Sequence, residues 1–470
     1  MKRQKIALLC LIIILVIPFQ PVVMAGATTS DSTNNEVWPV GPNVYADSAI
    51  VMEASTGLIL YEKNMHEVNY PASITKIMTA LLAIENSSPG EVVTFSKDAV
   101  FNVDLDSSRI GIDVGEQLTM QQCLYAVLLE SANEVTYAVA EHIAGNIPAF
   151  AAMMNKRAKS IGCLDTNFVN PHGLQDKNHV TSAYDMALIT REAMKNVTFR
   201  KIFTTRTYKI PPTNIQSETR YLRNHHRFVL KQDFFYDDCV GGKTGYTDSS
   251  KYTLVTVAKR GDLELICVLM RDDSFDHQYM DTQKLFDYAF DNFSIYSIKD
   301  LEPTQILQET PLFTRFNSLL SKSETQITTD ENGYLVLPNT ASFEDAKKEV
   351  SFYPASEIIE GGNVIGTISY TYLDKYVGGA DIIYNNVKTP ALTSSEPEIN
   401  NPTITPDSSI PPKSGGNLRP IIIGVIVGLI VLVIGFYILA VERPRLKRKN
   451  AYYKKKANRR RRQDDDFMNL

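Results

Sequence analysis

Cysteine, histidine and tryptophan are scarce in this chain of 470 residues, which holds five, seven and one of them. Cys10 lies in an apolar N-terminal run, so Cys123, Cys163, Cys239 and Cys267 remain for a body of about 400 residues. Four cysteines over that length exclude a disulfide scaffold. There is no C-x-x-C pair and no His-rich spacing. The histidines are scattered, and even the adjacent His225 and His226 point different ways on any regular element. The residues therefore predict no metal. Positive charge is also short where a nucleic-acid partner would need it. The net charge is −5, yet the last 28 residues hold 12 basic against 3 acidic side chains and the first 27 are basic. The part between is left at about −17, which argues against nucleic acid as a partner.

The termini carry the long apolar runs. "MKRQKIALLCLIIILVIPFQPVVMAGA" (1–27) has Lys2, Arg3 and Lys5, then an apolar stretch, then Ala25 and Ala27. That is the layout of a secretory signal peptide, with cleavage expected near Ala25 or Ala27; an uncleaved anchor is the alternative. Ile421 to Val441 is uncharged and almost wholly apolar. At about 1.5 Å per residue it is long enough to cross a hydrocarbon core, and we place a transmembrane helix at 418–441. Arg443, Arg445, Lys447, Arg448 and Lys449 follow at once and mark the tail 442–470 as cytoplasmic. The expected protein is single-pass at the cell membrane, with its body outside. The basic tail suits topology and anionic-lipid contact. Gly424 and Gly428 make a G-x-x-x-G in the span, a weak pointer to dimerisation.

Between the ends the chain divides by pattern. Over 44–298, "SAIVMEASTGLILYEK" reads as two strands around a Ser-Thr-Gly turn, and "YTLVTVAKRGDLELICVLM" as two more around Arg260-Gly261-Asp262. Helical patterns fall at 74–86, about 119–145, 147–161 and 183–195. Hairpins at both ends with helices between them predict an α+β domain, an antiparallel sheet with packed helices. Over 299–388 short β-branched and aromatic runs are cut by Asn332-Gly333, Gly361-Gly362 and Gly378-Gly379, which predicts a small all-β domain. Residues 389–417 are rich in proline and serine and have no packing face, so they read as a linker.

One apolar rod is odd. In "NYPASITKIMTALLAIE" the apolar residues spread around nearly the whole helix, which predicts deep burial, yet Ser73 and Lys76 stand at its start. Pro71 suits a first turn, and residues three apart share a helix face, so serine and lysine can touch. Burial and the positive end of the helix both disfavour a charged ammonium. A neutral amine at that place can take the serine's proton. A lone S-x-x-K is common, and a capping serine beside a snorkelling lysine is its ordinary reading. This one is accompanied by Ser131-Ala132-Asn133, between two helical stretches, and by Lys243-Thr244-Gly245, which precedes a predicted hairpin.

S-x-x-K, S-x-N and K-T-G in this order resemble the three motifs of penicillin-binding proteins and serine β-lactamases. "STGLILYEKNMHEVNYPASITKIMTALLAIE", "DTNFVNPHGL", "GGKTGYT" and "DTQKLFDYAF" resemble one branch, the D-alanyl-D-alanine carboxypeptidases of peptidase family S11. The similarity covers roughly 45–295, and 299–388 resembles the family's C-terminal β-domain more loosely. The resemblance implies a β-lactamase/transpeptidase-like α/β (α+β) fold with helices on both faces of the sheet. It implies that Ser73 attacks the carbonyl of the penultimate D-alanine of a peptidoglycan stem peptide, forming an acyl-enzyme that water hydrolyses. Lys76 would be the base, Ser131 a proton relay, and Asn133 a holder of Lys76 and of the substrate backbone. Lys243 would add positive charge, Thr244 would bind the terminal carboxylate, and Gly245 would let the substrate lie against its strand. The backbone N–H groups of Ser73 and Tyr246 would form the oxyanion hole. No cofactor is implied, and β-lactam antibiotics would be covalent inhibitors.

The chain departs from the family in places. Ala132 stands where glycine is usual, and a positive φ there would strain it by about 1 kcal/mol. Glu134 replaces an aspartate, and Ser250-Lys251-Tyr252 replaces Ala-Gly-Tyr. Ahead of "DTQKL", where relatives tend to place a carboxylate-anchoring arginine, stands His277-Gln278-Tyr279, with Arg271 as a candidate substitute. Two other functions are carried as alternatives. One is a β-lactamase, since Glu192 to Asn196 in "EAMKN" loosely mimics an E-x-x-L-N motif. The other is a catalytically silent wall-binding or antibiotic-sensing receptor.

Overall fold

In the computed structural model the described residues are 37–301, apart from 105 and 231–232, together with 326–353 and 364–385. The expected signal peptide, linker, membrane span and basic tail lie outside them. Among the described residues no helix is long and apolar enough to cross a membrane.

The framework is a five-stranded antiparallel sheet. Its strands are β1 (Ser48–Glu53), β2 (Ile59–Lys63), β7 (Cys239–Thr247), β8 (Lys251–Arg260) and β9 (Leu263–Asp272), in the order β2-β1-β9-β8-β7. The two predicted hairpins are β1–β2 and β8–β9, and the second turns at Gly261 with φ +61°. In the first, the Glu53 carboxylate accepts from the backbone N–H groups of Ser55 and Thr56 and so holds the Ser-Thr-Gly turn. Alternation decides which face each strand residue covers. Ile50, Met52, Val255, Val257, Ile266, Val268 and Met270 join one apolar cluster; Ala49, Val51, Leu254, Leu265, Cys267 and Leu269 join the other. The sheet is therefore buried on both sides.

The first cluster is capped by helices α1 (Lys76–Asn86), α2 (Lys97–Phe101), α3 (Met120–Leu129), α4 (Asn133–Ala144), α5 (Ile147–Ile161), α6 (Ala183–Met194) and α7 (Val197–Phe203). Helix α1 is the apolar rod: Lys76 to Ala83 are all buried. A 3-10 turn, Ala72–Thr75, precedes it, so the regular helix begins two residues later than its pattern suggested. The long helical stretch near 119–145 is broken. Thr119 and Gln122 form a capping box at the start of α3, and α4 restarts at Asn133 without a side-chain cap. The break between them carries Ser131 and Ala132. Strands β3 (Val92–Thr94) and β4 (Gln117–Thr119), and β5 (Thr207–Ile210) and β6 (Arg220–Arg223), make two short ribbons.

The other face is covered by α8 (Phe275–Asn292), through Tyr279, Leu285, Phe286 and Ala289. From there the chain enters a second antiparallel sheet. Its strands are β10 (Phe293–Ser297), β11 (Gln326–Thr329), β12 (Tyr334–Pro338), β13 (Lys347–Phe352), β14 (Val364–Tyr372) and β15 (Lys375–Asn385). The short helix α9 (Ile298–Leu301) follows β10. Leu335, Val336, Leu337, Ile368, Tyr370 and Ile382 of this sheet belong to the same apolar cluster as α8.

Candidate active site

A cleft of about 560 Å³ opens where the 3-10 turn, the α3–α4 break and β7 meet. Ser73, Ser131, Asn133, Thr244, Gly245 and Tyr246 line it, and Lys76 and Lys243 are buried beneath, at 0 % and 2 % exposure. The structure thus brings all eight predicted residues to one place.

The Lys76 amine is the best-connected group. Its Nζ lies 3.0 Å from Ser73 Oγ, 2.6 Å from Asn133 Oδ1 and 2.7 Å from the His172 carbonyl. Burial first, and then the positive charge of Lys243, push its pKa well below the ordinary lysine value, while Glu134 opposes the shift. A neutral amine keeps two N–H donors for Asn133 and His172 and a lone pair for the serine proton, which matches its three oxygen neighbours. Lys243 is itself pushed down to about 7 by burial, and its Nζ donates to the Thr244 carbonyl at 2.9 Å.

Glycine at 245 answers a packing demand besides any made by substrate. A Cβ there would come within 2.9 Å of the Ser73 backbone nitrogen and 3.1 Å of Ala72 Cβ. Strand β7 therefore runs hard against the turn that presents the nucleophile. Gly173, at φ +84°, is required in the same way, because its Cβ would overlap the Ala72 carbonyl. Ala72 itself has φ +50°. The Tyr246 side chain is half exposed: its hydroxyl donates to Asp248 Oδ1 at 3.1 Å and its ring packs on Tyr252, which also lines the cleft.

The second motif differs from its expectation. Ala132 has φ −60° and ψ 111°, an ordinary extended conformation, so no strain falls on it. The left-handed residue is Ser131, at φ +59°. Its Oγ is buried and has no hydrogen-bond partner, so the serine reaches neither lysine in this state. Glu134 has a definite task. Its Oε1 accepts from the backbone N–H groups of Ile110 and Gly111, at 2.7 and 3.2 Å. That loop in turn supplies the Ser108 carbonyl, which accepts the Asn133 N–H at 2.9 Å.

Arg271 does not substitute for the missing arginine. Its guanidinium donates to Asp47 Oδ2 at 2.9 Å and to the Ser249 carbonyl at 3.2 Å, and it does not line the cleft. Glu192 is held by Arg157 at 2.7 Å and Lys195 at 2.8 Å, also away from the cleft, so the E-x-x-L-N likeness has no counterpart beside Ser73. The cleft walls also include Arg223, Arg227 and Phe275, which sequence reasoning passed over, His225, which it gave no role, and Gln278, from the stretch where the anchoring arginine was expected. The His172 carbonyl was missed as well, though "NPHGL" drew attention through the resemblance. Among the described residues one group, Asp272, Asp273 and His277, places possible metal-ligand atoms within 4.8 Å of one another. It lies at the start of α8, His277 is paired with Asp273, and the contacts at Ser73 make no use of it.

This geometry agrees with the comparisons. A family model described as D-alanyl-D-alanine carboxypeptidase, Peptidase S11, matches residues 34–274, just over half of the chain. D-alanyl-D-alanine carboxypeptidase DacF of Bacillus subtilis is 31 % identical over 334 residues, covering 69 % of this chain and 80 % of that relative. Penicillin binding protein 5 from Haemophilus influenzae shares the fold at a TM-score of 0.58 and 24 % identity, over 74 % of this chain and 98 % of its own. The Streptomyces K15 DD-transpeptidase is 28 % identical, with a TM-score of 0.51, over 54 % of this chain and all of its own. With the Ser73–Lys76 pair and the β7 wall in the same cleft, these matches place the chain in the D-alanyl-D-alanine carboxypeptidase family, peptidase S11.

Proposed function

We propose that the protein is a serine-type D-Ala-D-Ala carboxypeptidase that removes the terminal D-alanine from peptidoglycan stem peptides and is acylated by β-lactams. The observation that carries the reading is the buried Lys76 amine within 3.0 Å of Ser73 Oγ, held by Asn133 and His172. Lys76 accepts the hydroxyl proton as Ser73 Oγ attacks the penultimate carbonyl. The tetrahedral oxyanion is met by the Ser73 and Tyr246 backbone N–H groups. Collapse breaks the peptide bond, the leaving amine takes a proton relayed through Ser131, and D-alanine departs. Water, deprotonated by the same amine, hydrolyses the ester and restores Ser73. Lys243 and Thr244 face the substrate's carboxylate end.

The wider arrangement belongs to the same proposal. Residues 1–27 direct export, 299–388 form a small β-domain, 389–417 a linker, and 418–441 a membrane span with a cytoplasmic tail. The body then works on the wall outside the cell membrane. The apolar length of 421–441 and the basic cluster after it support this reading.

The test is to incubate the full-length protein in detergent with a peptide ending in D-Ala-D-Ala and to assay free D-alanine, beside Ser73→Ala. Release by the wild type and none by the variant is expected. Intact, well-folded protein that neither releases D-alanine nor takes labelled penicillin at Ser73 would favour the receptor reading. Fast penicillin turnover would favour a β-lactamase.

A further inference from the structure

Two carbonyls precede Ser73, and each is held by a buried threonine hydroxyl. Thr253 Oγ1, on β8, donates to the Pro71 carbonyl at 2.9 Å. Thr75 Oγ1 donates to the Ala72 carbonyl at 2.8 Å. Ala72 itself stands at φ +50°, a conformation that a residue other than glycine keeps only where its surroundings fix it. Behind Thr75 lies His179, whose Nε2 is 2.9 Å from the same hydroxyl, and both residues are buried. The segment that carries the imidazole is pinned in turn, since Val180 pairs with Asn167 and Thr181 with Asn69.

The direction of each hydrogen bond follows from the far side of the ring. His179 Nδ1 faces the backbone N–H groups of Val169 and Asn170, at 3.1 and 3.4 Å, so it carries the lone pair. The ring proton is then on Nε2 and donates to Thr75 Oγ1, which leaves the hydroxyl proton for the Ala72 carbonyl. Burial pushes the His179 pKa down to about 4, so the ring is neutral near pH 7. The Ala72 carbonyl and the Ser73 N–H belong to one rigid trans peptide and point opposite ways. Whatever fixes the carbonyl therefore aims the N–H. Resting on the carboxypeptidase reading, we propose that Thr75 and His179 are positioning residues that aim the Ser73 N–H at the oxyanion. The relay runs from the 169–170 backbone through the imidazole and the hydroxyl to the Ala72 carbonyl. It acts on the transition state, because the charge that this N–H must meet is absent from the bound substrate.

The experiment uses full-length protein and resolves benzylpenicillin acylation of Ser73 into a pre-covalent dissociation constant and an acylation rate constant. Infrared difference spectra read the ester carbonyl of the acyl-enzyme. Thr75→Val should lower the rate constant by about 10- to 100-fold and leave the dissociation constant within about threefold of wild type. Its ester band should move to higher frequency, since a carbonyl that loses a hydrogen bond stiffens. Thr75→Ser should restore both readouts. His179→Leu should lose about tenfold in rate, and His179→Gln should recover most of that through its amide N–H. Thr190→Val removes an equally buried hydroxyl from α6 and should leave rate and band unchanged. Should Thr75→Val not fold, His179→Leu is read in the same way. A wild-type rate and band in these folded variants overturn the proposal, and so does a loss confined to the dissociation constant. Wild type that is acylated but releases no D-alanine overturns the carboxypeptidase reading and leaves the relay standing. Wild type that takes no penicillin overturns both.

Discussion

The floor and the rim of the cleft are built by different rules. On the floor, Lys76, Asn133 and Lys243 are buried, and each polar group of Lys76 has its partner at hydrogen-bond distance. On the rim, Arg223 and Tyr246 are exposed, and the walls come from turns 223–227 and the start of α8. A floor made of satisfied buried groups has one arrangement, because each lost hydrogen bond leaves an oxygen stranded. A rim of exposed side chains can change without unfolding the domain. Acyl transfer is thus set by packing, and substrate choice by residues that packing leaves open to change.

The largest expected effect comes from breaking the floor. Lys76→Met removes the base and strands Asn133 Oδ1 and the His172 carbonyl. Penicillin acylation of Ser73 should fall by about 10²- to 10⁴-fold, read by stopped-flow or gel labelling. A loss of less than tenfold in folded protein would show that another group takes the proton.

Next is the charge under the floor. Lys243 is one of the two causes that hold the Lys76 pKa down, after burial. Removing it in Lys243→Met raises the Lys76 pKa, so the amine is neutral only at higher pH. The acid limb of the acylation rate should therefore move to higher pH, with a loss of about 10²-fold near neutrality. Stability moves as well. Lys243 titrates at about 7 when folded against 10.5 ordinarily. The unfolded chain binds the extra proton between those values, so wild-type stability rises with pH across that window. Lys243→Met removes this contribution to the slope, which urea unfolding at several pH values measures. An acid limb that stays in place, or moves down, would contradict the electrostatic account.

Much of the floor was legible in the sequence because it rides on regular elements. The apolar circumference of α1 announced burial for Lys76, and the hairpin pattern put Lys243, Thr244 and Gly245 beside a strand. The rim was not legible. Arg227 meets Phe275 and Tyr279 only because β7, β8 and β9 bring the turn before β7 against α8, and no local period records a contact 48 or more residues apart. Arg271 showed the converse failure: its position in sequence suggested the cleft, but its backbone, at φ +56°, directs the guanidinium to Asp47. Backbone sign at the helix break was also hidden. A break was expected between the helices, yet nothing in "ESANE" says which residue turns left-handed.

A smaller effect tests how floor and rim join. Gly245→Ala puts a methyl group against Thr253 Oγ1 on the next strand and the Ser73 backbone nitrogen, and the same turn is packed on Gly173 through the Ala72 carbonyl. Acylation should drop by about tenfold, as a displacement of a few tenths of an ångström at the nucleophile would give. Full activity would mean that the β7 wall yields instead.

The smallest effect separates two adjacent residues by sign. Ser131 holds φ +59° and carries a buried hydroxyl with no partner, two costs that glycine removes. Ser131→Gly should therefore raise stability by about 1 kcal/mol, or 2–4 °C in Tm for a domain of this size, even as turnover falls with the loss of the relay hydroxyl. Ala132→Gly should do the opposite, because Ala132 sits at φ −60° where glycine gains nothing and lowers Tm through backbone entropy. If glycine at 132 stabilised the protein and glycine at 131 did not, the strain would lie where the sequence first suggested it. The second motif would then store its strain beside the serine. With the signs as expected, the strain sits in the serine itself, the state from which it must move to reach a lysine, and functional sites are where such strain collects.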